Sequence, residues 1–431
     1  MSAMKGSAFY KTLGPGILFA STAIGVSHLV QSTRAGADYG FALLWAVIFA
    51  NLFKYPFFEY GSRYANATGT SIIDGYKKIG LWMLGLYFFI TVGSMFFVTA
   101  AVGAVTAGFL DNLFGISVAF PGHPHMAVTT LFLICLSILI IGRYSALDGL
   151  IKIIGTVLLL STLTAFFIAL ENGPVERMDG FQTPKIWDGV GVAFIIALMG
   201  WMPTALDLSS WNSLWTLARI NQTGYKPTLK ETLLDFNLGY WISAVLSICF
   251  VTLGAYIIYG TGQKMPDSSA LFAHEVVRLY TTTIGHWSYF IIATAAFSIM
   301  FGTSIGVFDG YARSLERTSE LLFFSEVRAT LMLKDRKVYI LSLLVLSVGA
   351  YLIISLFGGK LKALVDLATS ISFLIAPVIA IVNFRLVSRH YIGEAAVPGR
   401  WMRMLSYMGI VFLIGFSLLF TVSKLKPELL Y

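Results

Sequence analysis

The chain has 431 residues, of which 57% are hydrophobic and only 12% charged, with a mean hydropathy of +0.78 and a formal net charge of +8. That balance excludes a soluble globular domain and marks a polytopic helical membrane protein. Its Lys and Arg residues gather in alternate loops, as orientation by positive charge requires, so no nucleic-acid partner is expected.

Residues 1–13, MSAMKGSAFYKTL, carry no cleavable signal pattern and read as a cytoplasmic N-terminus. Apolar stretches of about 20 residues, long enough to span, fall near 14–36, 40–62, 82–110, 126–142, 149–170, 190–214, 236–259, 285–308, 338–357, 362–384 and 403–423. The reading is an all-α membrane protein of about eleven transmembrane helices. An odd number of spans puts the termini on opposite sides. Loops on the N-terminal side hold Lys5, Lys77, Lys78, Arg219, Arg313, Arg328, Lys334 and Arg385 among others, and the other side holds roughly half as many. The N-terminus is therefore expected in the cytoplasm and the C-terminus outside, across a plasma (inner) membrane.

Two spans are interrupted. In the first, Ser21, Thr22, Gly25, Ser27 and His28 break the apolar run, and in the sixth Pro203 stands inside Met199–Trp211. Backbone at bilayer depth is tolerated in broken form only where it lines a cavity. Paired breaks are the usual mark of a transporter binding site between inverted repeats. Residues 14–171 then form a first repeat and 190–384 a second, each of five spans, with 403–423 as a peripheral eleventh. Further along, Lys54, Glu59 and Arg63 read as a helix-face ion pair near the cytoplasmic end of span two. The basic stretch from Asp309 to Val338 reads as a connector containing a surface helix. Cys135 and Cys249 lie in apolar runs and make neither a disulfide framework nor a metal motif. No paired carboxylates or His-Glu-x-x-His run appear, so no enzyme and no cofactor is expected.

Gly14-Pro15-Gly16, then Ala35-Gly36-Ala37-Asp38-Tyr39-Gly40 and Leu43-Leu44-Trp45, resemble the opening of the Nramp divalent-metal transporters, and Met202-Pro203 resembles the start of that family's second signature. The resemblance implies the inverted-repeat fold shared with amino-acid/sodium symporters. It also exposes departures. Where the family has Asp-Pro-Gly-Asn, with Asp and Asn holding the metal, this chain has Gly25, Val26, Ser27 and His28. Where the family has Met-Pro-His followed by another His, it has Met202-Pro203-Thr204, then Ala205-Leu206-Asp207-Leu208-Ser209. Among those side-chain ligands only Met202 survives. Span three, which carries acidic residues in the family, has no charged residue over 82–110.

A divalent cation needs carboxylate, imidazole or thioether ligands, and a site stripped of them suits the opposite charge. Helix N-termini at the breaks carry partial positive charge and free N–H groups. The second half-helices are expected to begin near Ser27-His28 and near Thr204. With Gly25 and Val26 at the break, the hydroxyls of Ser27 and Thr204 and the imidazole of His28 are expected to make a donor-rich pocket. The expected activity is secondary active transport of a small inorganic anion, bicarbonate first, by alternating access. The alternative is a divalent metal ion, magnesium or manganese, at an altered site with Asp207 supplying charge. Arg34, in place of a family Gln, either touches substrate or pairs with Asp38. Met202 is a lining candidate, and Trp201 and Trp211 flank the second break as gate or anchor. For the coupling ion, sodium between Thr303-Ser304 and the carbonyls of Ala23 or Ile24 is implied by the symporter resemblance. A proton carried on His28 is the competing account.

Overall fold

The computed structural model describes residues 11–141, 144–324 and 336–425. Each of the eleven predicted stretches is helical among these residues. The first span is α1 (Pro15–Ala23), a π-helical segment (Ser27–Ser32) and α2 (Thr33–Tyr39). There follow α3 (Leu44–Thr68), the short α4 (Ile72–Ile79), α5 (Leu81–Phe114), α6 (Met126–Ile141) and α7 (Tyr144–Asn172). The sixth span is α8 (Gly189–Gly200) and α9 (Leu208–Thr223), with a non-helical link from Trp201 to Asp207. Then come α10 (Leu229–Ile257), α11 (Ser269–Ile284), α12 (Tyr289–Phe323), α13 (Lys337–Phe357), α14 (Leu361–Leu386) and α15 (Arg400–Leu425).

Six of these helices, α5, α10, α12, α13, α14 and α15, are long and apolar enough to cross a membrane unaided. The broken spans fall short because their apolar runs are split. Burial separates the helices further: 72% of the apolar window of α10 is inside the protein, against 17% for α15, which lies at the periphery as expected.

The first span lies along α10, and glycines set their distance. A Cβ on Gly16 would come 2.0 Å from the carbonyl oxygen of Asp235, and one on Gly36 would come 2.0 Å from that of Val251. Small residues at such crossings let backbones touch where lipid supplies no hydrophobic drive. The Asp235 carboxylate accepts the N–H groups of Gly14 (3.1 Å) and Gly16 (2.7 Å), satisfying donors at the start of α1.

Two expectations change. The stretch from Asp309 to Phe323 is not a separate surface helix but the continuation of α12. Asp309 accepts bonds there from Trp215, Arg313 and Tyr339, which hold the extension against its neighbours. Residues 325–335, with Arg328 and Lys334, lie outside the described residues, as do residues 1–10 of the N-terminal segment. The second change concerns Lys54, which takes no part in the Glu59–Arg63 pair. Its position on α3 turns it toward the broken sixth span instead.

Candidate functional site

The two breaks face one cavity. A cavity of about 20 Å³, room for roughly one water molecule, is lined by Thr22, Ala23, Val26 and Ser27 of the first span, by Val98 and Val102 of α5, by Trp201, Thr204, Ala205, Leu208 and Trp211 around the second break, and by Thr303 and Val307 of α12. Its polar wall is four hydroxyls and two indoles. Among the described residues, the lining holds no carboxylate, imidazole or thioether, and no cluster of three His, Cys, Asp or Glu side chains is placed to hold a metal ion.

At the first break the chain leaves α-helical geometry after Ala23 and resumes it as a wider turn. The Thr33 N–H bonds back five residues to the His28 carbonyl. That widening turns neighbouring side chains onto different faces. Ser27 looks into the cavity, while His28 is fully buried against α10. The His28 Nε2 lies 2.8 Å from the Ser243 carbonyl oxygen, and its Nδ1 lies 2.7 Å from the Ser27 hydroxyl. The same hydroxyl is 2.6 Å from the Ala23 carbonyl oxygen. The Ser243 hydroxyl lies 3.3 Å from the same Nε2. A neutral ring with its hydrogen on Nδ1 donates to Ser27, which donates to Ala23, while Nε2 accepts from the Ser243 hydroxyl; a second ring proton, on Nε2, turns that nitrogen toward the Ser243 carbonyl instead. His28 is thus one hydroxyl away from the cavity rather than in its wall, correcting the expectation of direct contact.

At the second break Lys54 dominates. Its side chain is fully buried, and its Nζ donates to the carbonyl oxygens of Met199 (3.1 Å), Gly200 (3.0 Å) and Thr204 (2.8 Å). The first two end α8, where the carbonyls of the last turn concentrate negative partial charge. The third belongs to Thr204, midway along the link, whose side chain lines the cavity. α9 starts at Leu208 rather than near Thr204. The N–H groups of Leu208, Ser209 and Ser210 are taken by the carbonyls of Ala205, Leu206 and Asp207 in a tightened first turn. Those three donors are therefore not available to a ligand, against expectation.

The remaining candidates sort clearly. Asp207, buried just before α9, accepts the Tyr311 hydroxyl at 3.1 Å and stays out of the cavity wall. Met202 is buried, with the Ser32 hydroxyl 3.8 Å from its sulfur, and is also outside the wall. Gly25 is a packing position: a Cβ there would come 2.5 Å from Thr303 Oγ1. Thr303 donates to the Ser21 carbonyl (2.9 Å) and sits 3.5 Å from that of Ile24. Ala23 instead gives its carbonyl to Ser27. Ser304 faces away, 2.8 Å from the Thr106 hydroxyl. Trp201 is anchored to Ser372 by its indole N–H (2.9 Å), whereas the Trp211 indole N–H is buried with no bonding partner.

Arg34 neither enters the cavity nor pairs with Asp38. Its guanidinium takes both oxygens of Asp366 on α14 (2.7 and 3.2 Å), donates to Gln31 (3.0 Å) and covers the Phe194 ring at 4.9 Å. This network joins α2 to α14 on the side away from the N-terminus. Sequence reasoning missed Lys54 and Asp366 as members of the central machinery. The signal was present, since a lone charge inside an apolar run marks a functional candidate.

The Nramp family model, natural resistance-associated macrophage protein-like, matches residues 16–423. The chain belongs to the Nramp family. An uncharacterized protein of Pasteurella multocida is 33% identical to this Nramp protein over 420 residues, covering 96% of this chain and 93% of the relative. A divalent metal cation transporter of Bacillus subtilis is 23% identical over 273 residues, 60% of this chain and 61% of that one. The manganese transporter of Eremococcus coleocola has the same fold, with a TM-score of 0.72 at 13% identity, covering 98% of this chain and 87% of its own. This Nramp protein is accordingly a multi-pass membrane transporter. None of these likenesses supports an anion, bicarbonate or sodium; the relatives whose names give a cargo carry metals.

Proposed function

We propose that this Nramp protein is a secondary active transporter of a small monovalent anion with the size and hydrogen-bonding character of bicarbonate. It acts by alternating access at the cavity between the breaks. The observation that carries the reading is the charge of the site. The carbonyl end of α8, which would attract a cationic cargo, already holds the ammonium of Lys54. The wall in front of it holds no negative side chain, and with the hydroxyls of Thr22, Ser27 and Thr303 already donating to the carbonyls of Leu18, Ala23 and Ser21, the Thr204 hydroxyl is the donor left for a cargo. A divalent ion there would lose its hydration without charged ligands to replace it. The coupling ion is a proton carried on His28, and its charge offsets that of the cargo. Sodium fits less well, because Ser304 is spent on Thr106 and leaves Thr303 with the carbonyls of Ser21 and Ile24. By its loop charges, the protein sits in the plasma membrane with its N-terminus in the cytoplasm.

Family membership and the metal-transporting relatives favour a second reading, a divalent metal ion as cargo. It requires Asp207 to leave Tyr311 and face the cavity. Proteoliposomes loaded with a panel of labelled bicarbonate, other small anions, manganese and magnesium, with pH and sodium varied separately, divide the two. The anion reading expects bicarbonate uptake that is lost in Thr204→Ala and His28→Ala and unchanged when choline replaces sodium. Manganese uptake that disappears in Asp207→Ala establishes the metal reading instead.

A further inference from the structure

The Lys54 contacts can be counted. An ammonium has three N–H donors and no lone pair, and three carbonyl oxygens receive them at 2.8–3.1 Å. The cup is built from backbone alone, by the last turn of α8 and the link that follows it, so it exists only because the span is broken there. Lys54 reaches it from α3, and its side chain is fully buried. The acidic group that acts on it is Asp207, bound to Tyr311; Glu59, on Lys54's own helix, is paired with Arg63. Three converging carbonyls without a bonded carboxylate are the surroundings of a monovalent cation rather than of an ordinary salt bridge.

We infer that Lys54 is a tethered cation: its ammonium fills a three-carbonyl, monovalent-cation site at the sixth-span break, so the protein itself supplies there the charge that a dissolved ion would otherwise bring. Removing the side chain should uncover a site for sodium, potassium or a small alkylammonium. The inference shares with the proposed function only the placement of Lys54. Its readout is cation binding rather than uptake, so either can fail without the other.

The test uses the full chain in detergent, with melting temperature followed while sodium, potassium or methylammonium replaces choline at constant ionic strength. The parent should be indifferent to the cation. Lys54→Ala should melt lower in choline and recover about half or more of the loss, saturably, in methylammonium or sodium, as expected for a ligand that binds only the folded form. Lys54→Met, which refills the volume without charge, should melt low and stay low in every salt. Lys54→Ala melting like the parent in choline, or gaining nothing from any small cation, overturns the inference. If Lys54→Ala is not recovered folded, Lys54→Gln takes the same titration. Failure to recover either variant, even with methylammonium present throughout purification, overturns it equally.

Discussion

The two breaks solve one problem in two ways. Each leaves backbone groups unpaired near the middle of the protein. At the first, the groups are answered by neutral side chains: Ser27 bonds to the Ala23 carbonyl and holds His28, and Thr303 of α12 bonds to the Ser21 carbonyl. At the second, they are answered by a charge, the ammonium of Lys54 from α3. The first solution can exchange a proton because its hydrogen count has two states. The second has a fixed count, with every donor used. The comparison teaches that the breaks are not equivalent halves of a symmetric site: one is suited to change state and the other to hold charge steady.

The largest effect that would break this contrast is expected at Lys54. Lys54→Met leaves the Gly200 and Thr204 carbonyls without their donor and the Met199 carbonyl with backbone N–H groups alone, at about 1–3 kcal/mol for each unsatisfied group, and should lower the melting temperature and abolish transport. A Lys54→Met variant with parental melting temperature and uptake would remove the fixed-charge half of the argument. Next comes His28→Gln, which keeps hydrogen-bonding capacity but carries no second proton. Uptake in this variant should lose its dependence on pH while the fold survives, as read by flux at several pH values in the absence of a gradient. A pH profile identical to the parent's would move the coupling elsewhere. Gly25→Ala sharpens the contact between the first break and α12. Its Cβ meets Thr303 Oγ1 at 2.5 Å and Cγ2 at 2.7 Å, so overpacking should cost about 1–3 kcal/mol, visible as a lower melting temperature that Thr303→Ala relieves. No relief in the double variant would show that the two positions are independent.

A smaller effect is expected from Asp366→Asn. It removes the charge that ties α2 to α14, but the Asp366 side chain is 35% exposed, so the stability loss should stay near about 1 kcal/mol. Its mark should be conformational, with faster thiol labelling of a cysteine placed at Ser372, beneath the network. Unchanged labelling would show that the pair does not restrain opening. Smallest is Thr228→Ala, which deletes the capping box with Glu231 at the start of α10 and should cost about 1 kcal/mol without touching transport, measured as melting temperature beside flux.

Much of this was legible in the sequence. The eleven spans show because each is a long apolar run, and the breaks show because Gly25, Ser27 and Pro203 cannot continue an apolar helix quietly. The convergence of Thr303 on first-span carbonyls was also readable, though on Ser21 and Ile24 rather than Ala23. The sequence could not say where side chains at the breaks point. His28 is expected in the pocket because it stands at the break, where the second half-helix is expected to begin, and the π turn rotates it toward Ser243. Lys54 was assigned to Glu59 and Arg63 because spacing along one helix is visible, whereas reach between helices is not. Arg34 found Asp366, 332 residues away, for the same reason.

The clasp between Asp235 and the start of α1 has a mechanical consequence. The broken first span is fastened to α10 at one end by that carboxylate and two glycine N–H groups, and pressed against it at the other by Gly36 on Val251. Neither half can swing without dragging the seventh span along, which makes α10 part of the lever rather than part of the frame. Bulky side chains at Gly239 or Gly254, far from any cargo, should therefore jam the machine in one posture and make useful handles for trapping it.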